Sequence, residues 1–104
     1  MKMPKRSKRE QTCHDGAVRR SAGMLRANGW RVQADVTGYK RPDTICIDNI
    51  CKRPDILAKK GKATRIIEWE TPNSFNRDRE QHSIFRKYAR RHTNTHSSVK
   101  ICDF

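Results

Sequence analysis

Three carboxylates, Asp55, Glu68 and Glu70, are the residues whose types and spacing best suit chemistry. Asp55-Ile56-Leu57-Ala58 and Arg65-Ile66-Ile67-Glu68-Trp69-Glu70 flank Lys59-Lys60-Gly61-Lys62, where the glycine marks a tight turn between two strands. A turn at Gly61-Lys62 sets Asp55 directly opposite Glu68. A turn at Lys60-Gly61 sets Asp55 opposite Ile66, with Glu68 as the diagonal neighbour. In either register the three acids share one face, because strand side chains alternate with a period of two. Directly opposed Cβ atoms lie about 4.5–5.5 Å apart, so the carboxylates repel one another unless a cation or a proton intervenes. A hard divalent ion meets that need: Mg2+ is held by one or two carboxylates together with water and phosphate oxygens. Such an ion polarises a phosphodiester and supplies hydroxide near neutral pH. The competing reading makes Glu68 and Glu70 the solvent side of an exposed hairpin, with Ile67 and Trp69 inward.

This acidic trio sits in a strongly basic chain. Lys and Arg number 24 against 11 Asp and Glu, a net charge of +13 over 104 residues, with a pI near 10.3. Charge of that density self-repels unless a polyanion relieves it, and nucleic acid does so with release of condensed counterions. Lys52, Arg53, Lys59, Lys60 and Lys62 crowd the hairpin, and Arg77, Arg79, Arg86, Lys87, Arg90 and Arg91 follow it. These are candidates for phosphate contact, which positions a duplex without reading its sequence. Nothing resembles a zinc-finger reading helix or an aromatic RNA platform. A membrane partner is not expected, since no apolar run approaches the roughly 18–20 residues that span a bilayer. The basic start, Met1 to Arg9, is followed by no apolar stretch and does not read as a secretory signal. An intracellular, cytoplasmic location is therefore expected, with Cys13, Cys46, Cys51 and Cys102 mostly reduced and Cys46 and Cys102 as core residues on strands.

The elements that must position the acids read as follows. Residues 1–9 form a flexible basic arm, and 10–104 a single domain. A helix runs from about Glu10 to Asn28, with Val18, Ala22 and Leu25 on its apolar face and Asn28-Gly29 at its close. Gly16 and Gly23 weaken it, and Asp15 is an alternative N-cap. Trp30 to Val36 alternates as a half-buried strand, and Thr44 to Ile47 reads as a short strand before an Asp48-Asn49 turn. After the hairpin, Thr71-Pro72-Asn73-Ser74 breaks the strand. Asn76 to Arg91 reads as a helix with Ile84, Phe85 and Tyr88 on one stripe, and Ser98 to Phe104 as a final strand. The tetrapeptide Lys-Arg-Pro-Asp recurs at 40–43 and 52–55 without forming a repeat architecture.

Pro54-Asp55, twelve intervening residues, then Glu68-Trp69-Glu70 resembles the PD-(D/E)xK nuclease superfamily. That superfamily includes restriction endonucleases, archaeal Holliday-junction resolvases and RecB-type nuclease domains. The resemblance covers about residues 10–104 and implies an α/β (α+β) restriction-endonuclease-like core in the order α-β-β-β-α-β, a mixed sheet flanked by helices. It implies that Asp55, Glu68 and the backbone carbonyl of Trp69 bind Mg2+ or Mn2+. Glu70 stands where most members carry the lysine that orients or deprotonates the attacking water, so this is a Glu-x-Glu variant. There Glu70 acts as general base or as a further metal ligand. The resemblance also nominates a first-helix residue facing the site, with Glu10, His14 and Asp15 as candidates. A second-helix glutamine four residues before an aromatic is matched by Gln81 and Phe85.

The leading expectation is thus a metal-dependent endonuclease acting on DNA in preference to RNA, on a junction or as a nicking enzyme. A homodimer follows if it makes paired cuts. The alternatives are a nucleic-acid-binding protein that keeps the fold without cleaving, and a zinc-stabilised regulator using Cys46, Cys51, His92 and His96.

Overall fold

The computed structural model describes residues 7–102 of the chain. The first helix, α1 (Lys8–Ala27), opens on a reciprocal box: the Glu10 N–H donates to Ser7 Oγ (3.1 Å), and Ser7 Oγ donates back to Glu10 Oε1 (3.3 Å). This Ser-x-x-Glu arrangement satisfies one orphan backbone donor at the helix start, the Glu10 N–H. It moves the boundary two residues before Glu10, so Lys8 and Arg9 are helical rather than part of an arm, and Ser7, not Asp15, is the cap. Residues 1–6 of the expected arm lie outside the described residues. At the other end the Trp30 N–H bonds the Leu25 carbonyl, and the Gly29 N–H bonds that of Arg26. With Gly29 at φ +88°, this is a Schellman closure, and the positive φ is what demands glycine there.

Four strands form the main sheet in the order β1-β4-β5-β6: β1 (Arg31–Ala34), β4 (Ile56–Lys60), β5 (Ala63–Glu70) and β6 (Thr95–Ile101). The first three are antiparallel neighbours, and β6 joins β5 in parallel. The chain reaches β6 through the second helix, α2 (Arg79–Arg91), as a parallel connection requires. The helix starts three residues later than expected, because 75–78 are turn. The described residues form an α+β fold with two helices and a mixed sheet.

Between β1 and β4 lies a small separate hairpin of β2 (Ile45–Ile47) and β3 (Ile50–Lys52). The turn Asp48-Asn49 was expected, and both residues take positive φ (51° and 68°), the backbone that closes a two-residue hairpin. The strand β3 that follows was not foreseen. Its residues are largely exposed and alternate weakly.

Alternation divides the sheet between two cores. Ile56, Ala58, Ile67 and Ala34 meet Val18, Ala22 and Leu25 of α1 on one face. Leu57 and Ile66 meet Ile84 and Phe85 of α2, with Ile45 and Ile47, on the other. Tyr88 packs beside this second core, as its helical spacing with Ile84 and Phe85 predicted.

All four cysteines are paired, Cys13 with Cys102 and Cys46 with Cys51. This corrects the expectation of reduced thiols. Partners 89 residues apart are joined only by the docking of α1 against the end of β6, which no local pattern announces. Cys102 is buried as expected, but Cys46 is exposed on the small hairpin, where it faces Cys51. No helix among the described residues is long and apolar enough to cross a membrane.

Candidate functional site

The β4–β5 turn falls at Gly61-Lys62, with Lys60 opposite Ala63. Carried to the open end of the hairpin, this register sets Asp55 opposite Glu68. There the two residues replace the ladder with side-chain bonds. The Asp55 N–H donates to Glu68 Oε1 (2.7 Å), and the Trp69 N–H donates to Asp55 Oδ2 (2.8 Å). Each acid therefore anchors the strand opposite its own. Trp69 meets the carboxylates through this N–H, while its indole turns to the α1 side and donates to Ser21 Oγ (2.8 Å).

Helices supply the remaining walls. From α2, the Gln81 amide donates to Glu68 Oε2 (2.8 Å), so both oxygens of Glu68 are held. From α1, His14 Nε2 lies 3.1 Å from Asp55 Oδ2, and its Nδ1 lies 3.1 Å from Asp15 Oδ1. Asp15 thus orients the imidazole that contacts Asp55, and of the three first-helix candidates His14 reaches the carboxylates directly. Glu10 stands at the rim, where the Thr71 hydroxyl beside it holds its carboxyl below the usual carboxylate range.

Glu70 occupies a different surrounding. The Ser74 hydroxyl donates to its Oε2, and His82 Nε2 lies 3.2 Å from its Oε1. Ser74 Oγ also accepts the Thr71 N–H (2.9 Å), which fixes the bend after β5. Glu68, Glu70 and His82 are 2%, 1% and 3% exposed, so this is an interior pocket and not the solvent face of a hairpin. The reading that put Glu68 and Glu70 outward is therefore overturned, because α2 covers the face they occupy.

Burial of this depth disfavours charge. Desolvation, then the negative charge of Asp55, push the Glu68 carboxyl up to about 9, against the Asp55 N–H and the Gln81 amide that favour its anion. Desolvation also raises Glu70, opposed by the hydrogen bonds from Ser74 and His82. Such a group is stable as a protonated cluster or around a cation.

Glu68, Glu70 and His82 each offer a ligand atom, all within 4.8 Å of one another. Donors at about 2.1 Å from an ion lie at most about 4.2 Å apart, so a cation draws them in by roughly half an ångström. Each carboxylate oxygen keeps a lone pair beyond the donor it already accepts, and the protons that burial favours on the two glutamates must leave as the ion binds. The donor set therefore fits a divalent ion. Asp55 is not one of these three, and His82 takes its place in the set.

His82, Ser74 and Thr71 were not singled out in the sequence. A signal for His82 existed: it lies three residues before Phe85 on the stripe that faces the sheet. A polar residue on an apolar stripe points at something buried. Ser74 lay in the Thr-Pro-Asn-Ser break, which reads as a turn and gives no hint of its contact with Glu70.

The basic candidates separate into two groups. Arg53 donates to the Pro42 carbonyl (3.0 Å), Lys60 to that of Asn28 (2.8 Å), Arg77 contacts Asp78 and Arg91 grips Asp48 (3.1 Å). Lys59, Lys62, Arg79, Arg86, Lys87 and Arg90 are exposed, and Lys52 is half-buried. The zinc set is not assembled, since Cys46 and Cys51 are bonded to each other and His92 stacks on Tyr88. Comparison with family models, curated proteins and solved structures finds no match.

Proposed function

We propose that the chain is a metal-dependent endodeoxyribonuclease of PD-(D/E)xK type, with Asp55, Glu68 and Glu70 at its centre. The observation that carries this reading is the lock between Asp55 and Glu68 at the open end of the hairpin, beside Glu70, in a chain of net charge +13. Carboxylates that crowd each other inside a cationic protein are suited to an ion that a phosphodiester then joins.

Glu68, Glu70 and His82 would hold the ion, with Asp55 and the Trp69 carbonyl beside them. When bound, it supplies Lewis acidity toward a phosphoryl oxygen and a water acidic enough to attack. An imidazole among carboxylates suits Mn2+ better than Mg2+, which prefers oxygen alone. Gln81 positions Glu68, His14 positions Asp55, and Glu70 serves as a further ligand to the ion. In this role Glu70 replaces the lysine usual at its position. The exposed lysines and arginines bind phosphates, DNA is the preferred polymer, and a homodimer would make paired cuts. The two disulfides persist where the surroundings are oxidising, which weighs against the cytoplasmic location expected of the chain.

The test is cleavage of supercoiled plasmid, linear duplex, single strands and a four-way junction in Mg2+, Mn2+ or EDTA. Cutting with Mn2+ that is lost in Asp55→Asn and Glu68→Gln, with binding retained, supports the proposal. One observation favours a second reading, a protein that binds nucleic acid without cutting it. Both oxygens of Glu70 are already engaged by Ser74 and His82, out of reach of solvent. Tight binding with no cleavage in any metal would select that reading.

A further inference from the structure

Edge strand β1 carries a second cationic feature. Arg31 pairs with Lys59 and Gln33 with Leu57, so these side chains share one sheet face. In the adjoining register Leu57 pairs with Ile66, two residues from Glu68, which places the same face toward the acids. Lys40 is brought alongside because its carbonyl accepts the Ala34 N–H (3.0 Å). Arg31, Val32, Gln33, Lys40, Leu57 and Lys59 line a pocket of about 290 Å³.

No carboxylate lines it. The neighbouring Asp43 is occupied by Gln33, whose Oε1 accepts the Asp43 N–H (2.8 Å) and whose amide donates to Asp43 Oδ2 (3.2 Å). The protein ties up other cations internally, Lys60 on a carbonyl and Arg91 on Asp48. By contrast, the side chains of Arg31, Lys40 and Lys59 have no hydrogen-bond or ion-pair partner among the described residues. Three unpaired cations around one concavity repel one another and focus a positive potential into it. An anion with several oxygens relieves both.

We propose that this pocket, through Arg31, Lys40 and Lys59, binds the phosphate backbone of a nucleic acid whose scissile region lies at Asp55 and Glu68. The proposal rests on the nuclease reading. Lys59 stands four residues from Asp55 along the strand, about 13 Å at 3.3 Å per residue. That is about four steps of duplex rise, so one continuous backbone reaches both places, whereas a free anion would fill only the pocket.

The test is fluorescence anisotropy with a labelled 20-bp duplex in EDTA, from 50 to 200 mM salt. The chain is compared with the triple variant Arg31→Gln, Lys40→Gln, Lys59→Gln, and with a control triple, Lys8→Gln, Arg19→Gln, Arg20→Gln, on α1 at the opposite sheet face. All six positions are exposed, and unchanged circular dichroism checks folding. The pocket variant should bind at least about tenfold more weakly at 100 mM salt and lose roughly two to three from the log–log salt slope, as expected for three phosphate contacts. The control should lose less than about threefold. Equal losses in the two variants overturn the pocket and leave the nuclease reading standing. Absence of binding by the unsubstituted chain overturns that reading itself. Inorganic tripolyphosphate competing as strongly as unlabelled duplex assigns the pocket to a free polyphosphate and overturns the backbone proposal.

Discussion

Glu68 concentrates the electrostatics of the site. Its carboxyl titrates near about 9 in the folded chain against an ordinary value of 4.5. Folding therefore favours the protonated form, and the sign of the linkage follows. The stability this group contributes is complete below about pH 4.5 and is lost progressively as pH rises toward 9. Glu70 shifts in the same direction. The metal-free protein should accordingly melt at progressively lower temperature as pH is raised through this window, and Mn2+ should restore the melting temperature more at pH 8 than at pH 5. Scanning calorimetry in EDTA and in Mn2+ checks both. Gln81 acts through Glu68 alone, so Gln81→Ala should weaken Mn2+ binding about 10–100-fold, the usual cost of losing an outer-shell partner. Isothermal titration reads that loss without any need for activity. The sequence makes the three acids visible because strand parity depends only on local spacing. His82 stays hidden because its meeting with Glu70 depends on how α2 docks.

At the scale of elements, local chemistry and long-range contacts contribute separately. The α1 helix is continuous through Gly16 and Gly23, because its two ends are capped and its apolar face is packed. A Cβ at Gly23 meets nothing within 4 Å, so Gly23→Ala should stabilise the protein by about 0.5–1 kcal/mol in urea unfolding. The disulfides differ in reach. The Cys13–Cys102 bridge closes a loop of 89 residues and the Cys46–Cys51 bridge one of 5. Chain entropy assigns about 4–5 and about 2 kcal/mol to them. Cys13→Ser with Cys102→Ser should therefore lower stability more than Cys46→Ser with Cys51→Ser, by about 2–3 kcal/mol in the same measurement. The Asn28-Gly29 close of α1 and a glycine turn at Gly61 were legible as words of a few residues, whereas the Ser7 cap was missed because Ser7 lies in a stretch read as a basic arm. The strand β3 was not legible, because its exposed, weakly alternating residues are held only by pairing with β2.

For the whole molecule, the dominant quantity is the charge of +13. Its self-repulsion is screened by salt over a Debye length of about 10 Å at 0.1 M. Raising NaCl from 10 to 300 mM should raise the melting temperature, and a polyanion should do so at far lower concentration. Thermal scans in NaCl and with single-stranded DNA distinguish the two effects. The sequence by itself determined the charge, the order of most elements, the C-terminal close of α1, and the common face of Asp55, Glu68 and Glu70. Each of these is set by composition or by residues a few positions apart. Only the tertiary structure decided that α2 closes over those acids, that His82 and Ser74 engage Glu70 while His14 engages Asp55, and that the thiols are paired. It likewise decided that Arg31 and Lys40 gather with Lys59. Apart from Ser74 with Glu70 and Cys46 with Cys51, which are four and five residues apart, these contacts join residues distant in the chain, and their partners are chosen by packing of whole elements. The acidic face was written locally, and its enclosure was a consequence of the fold.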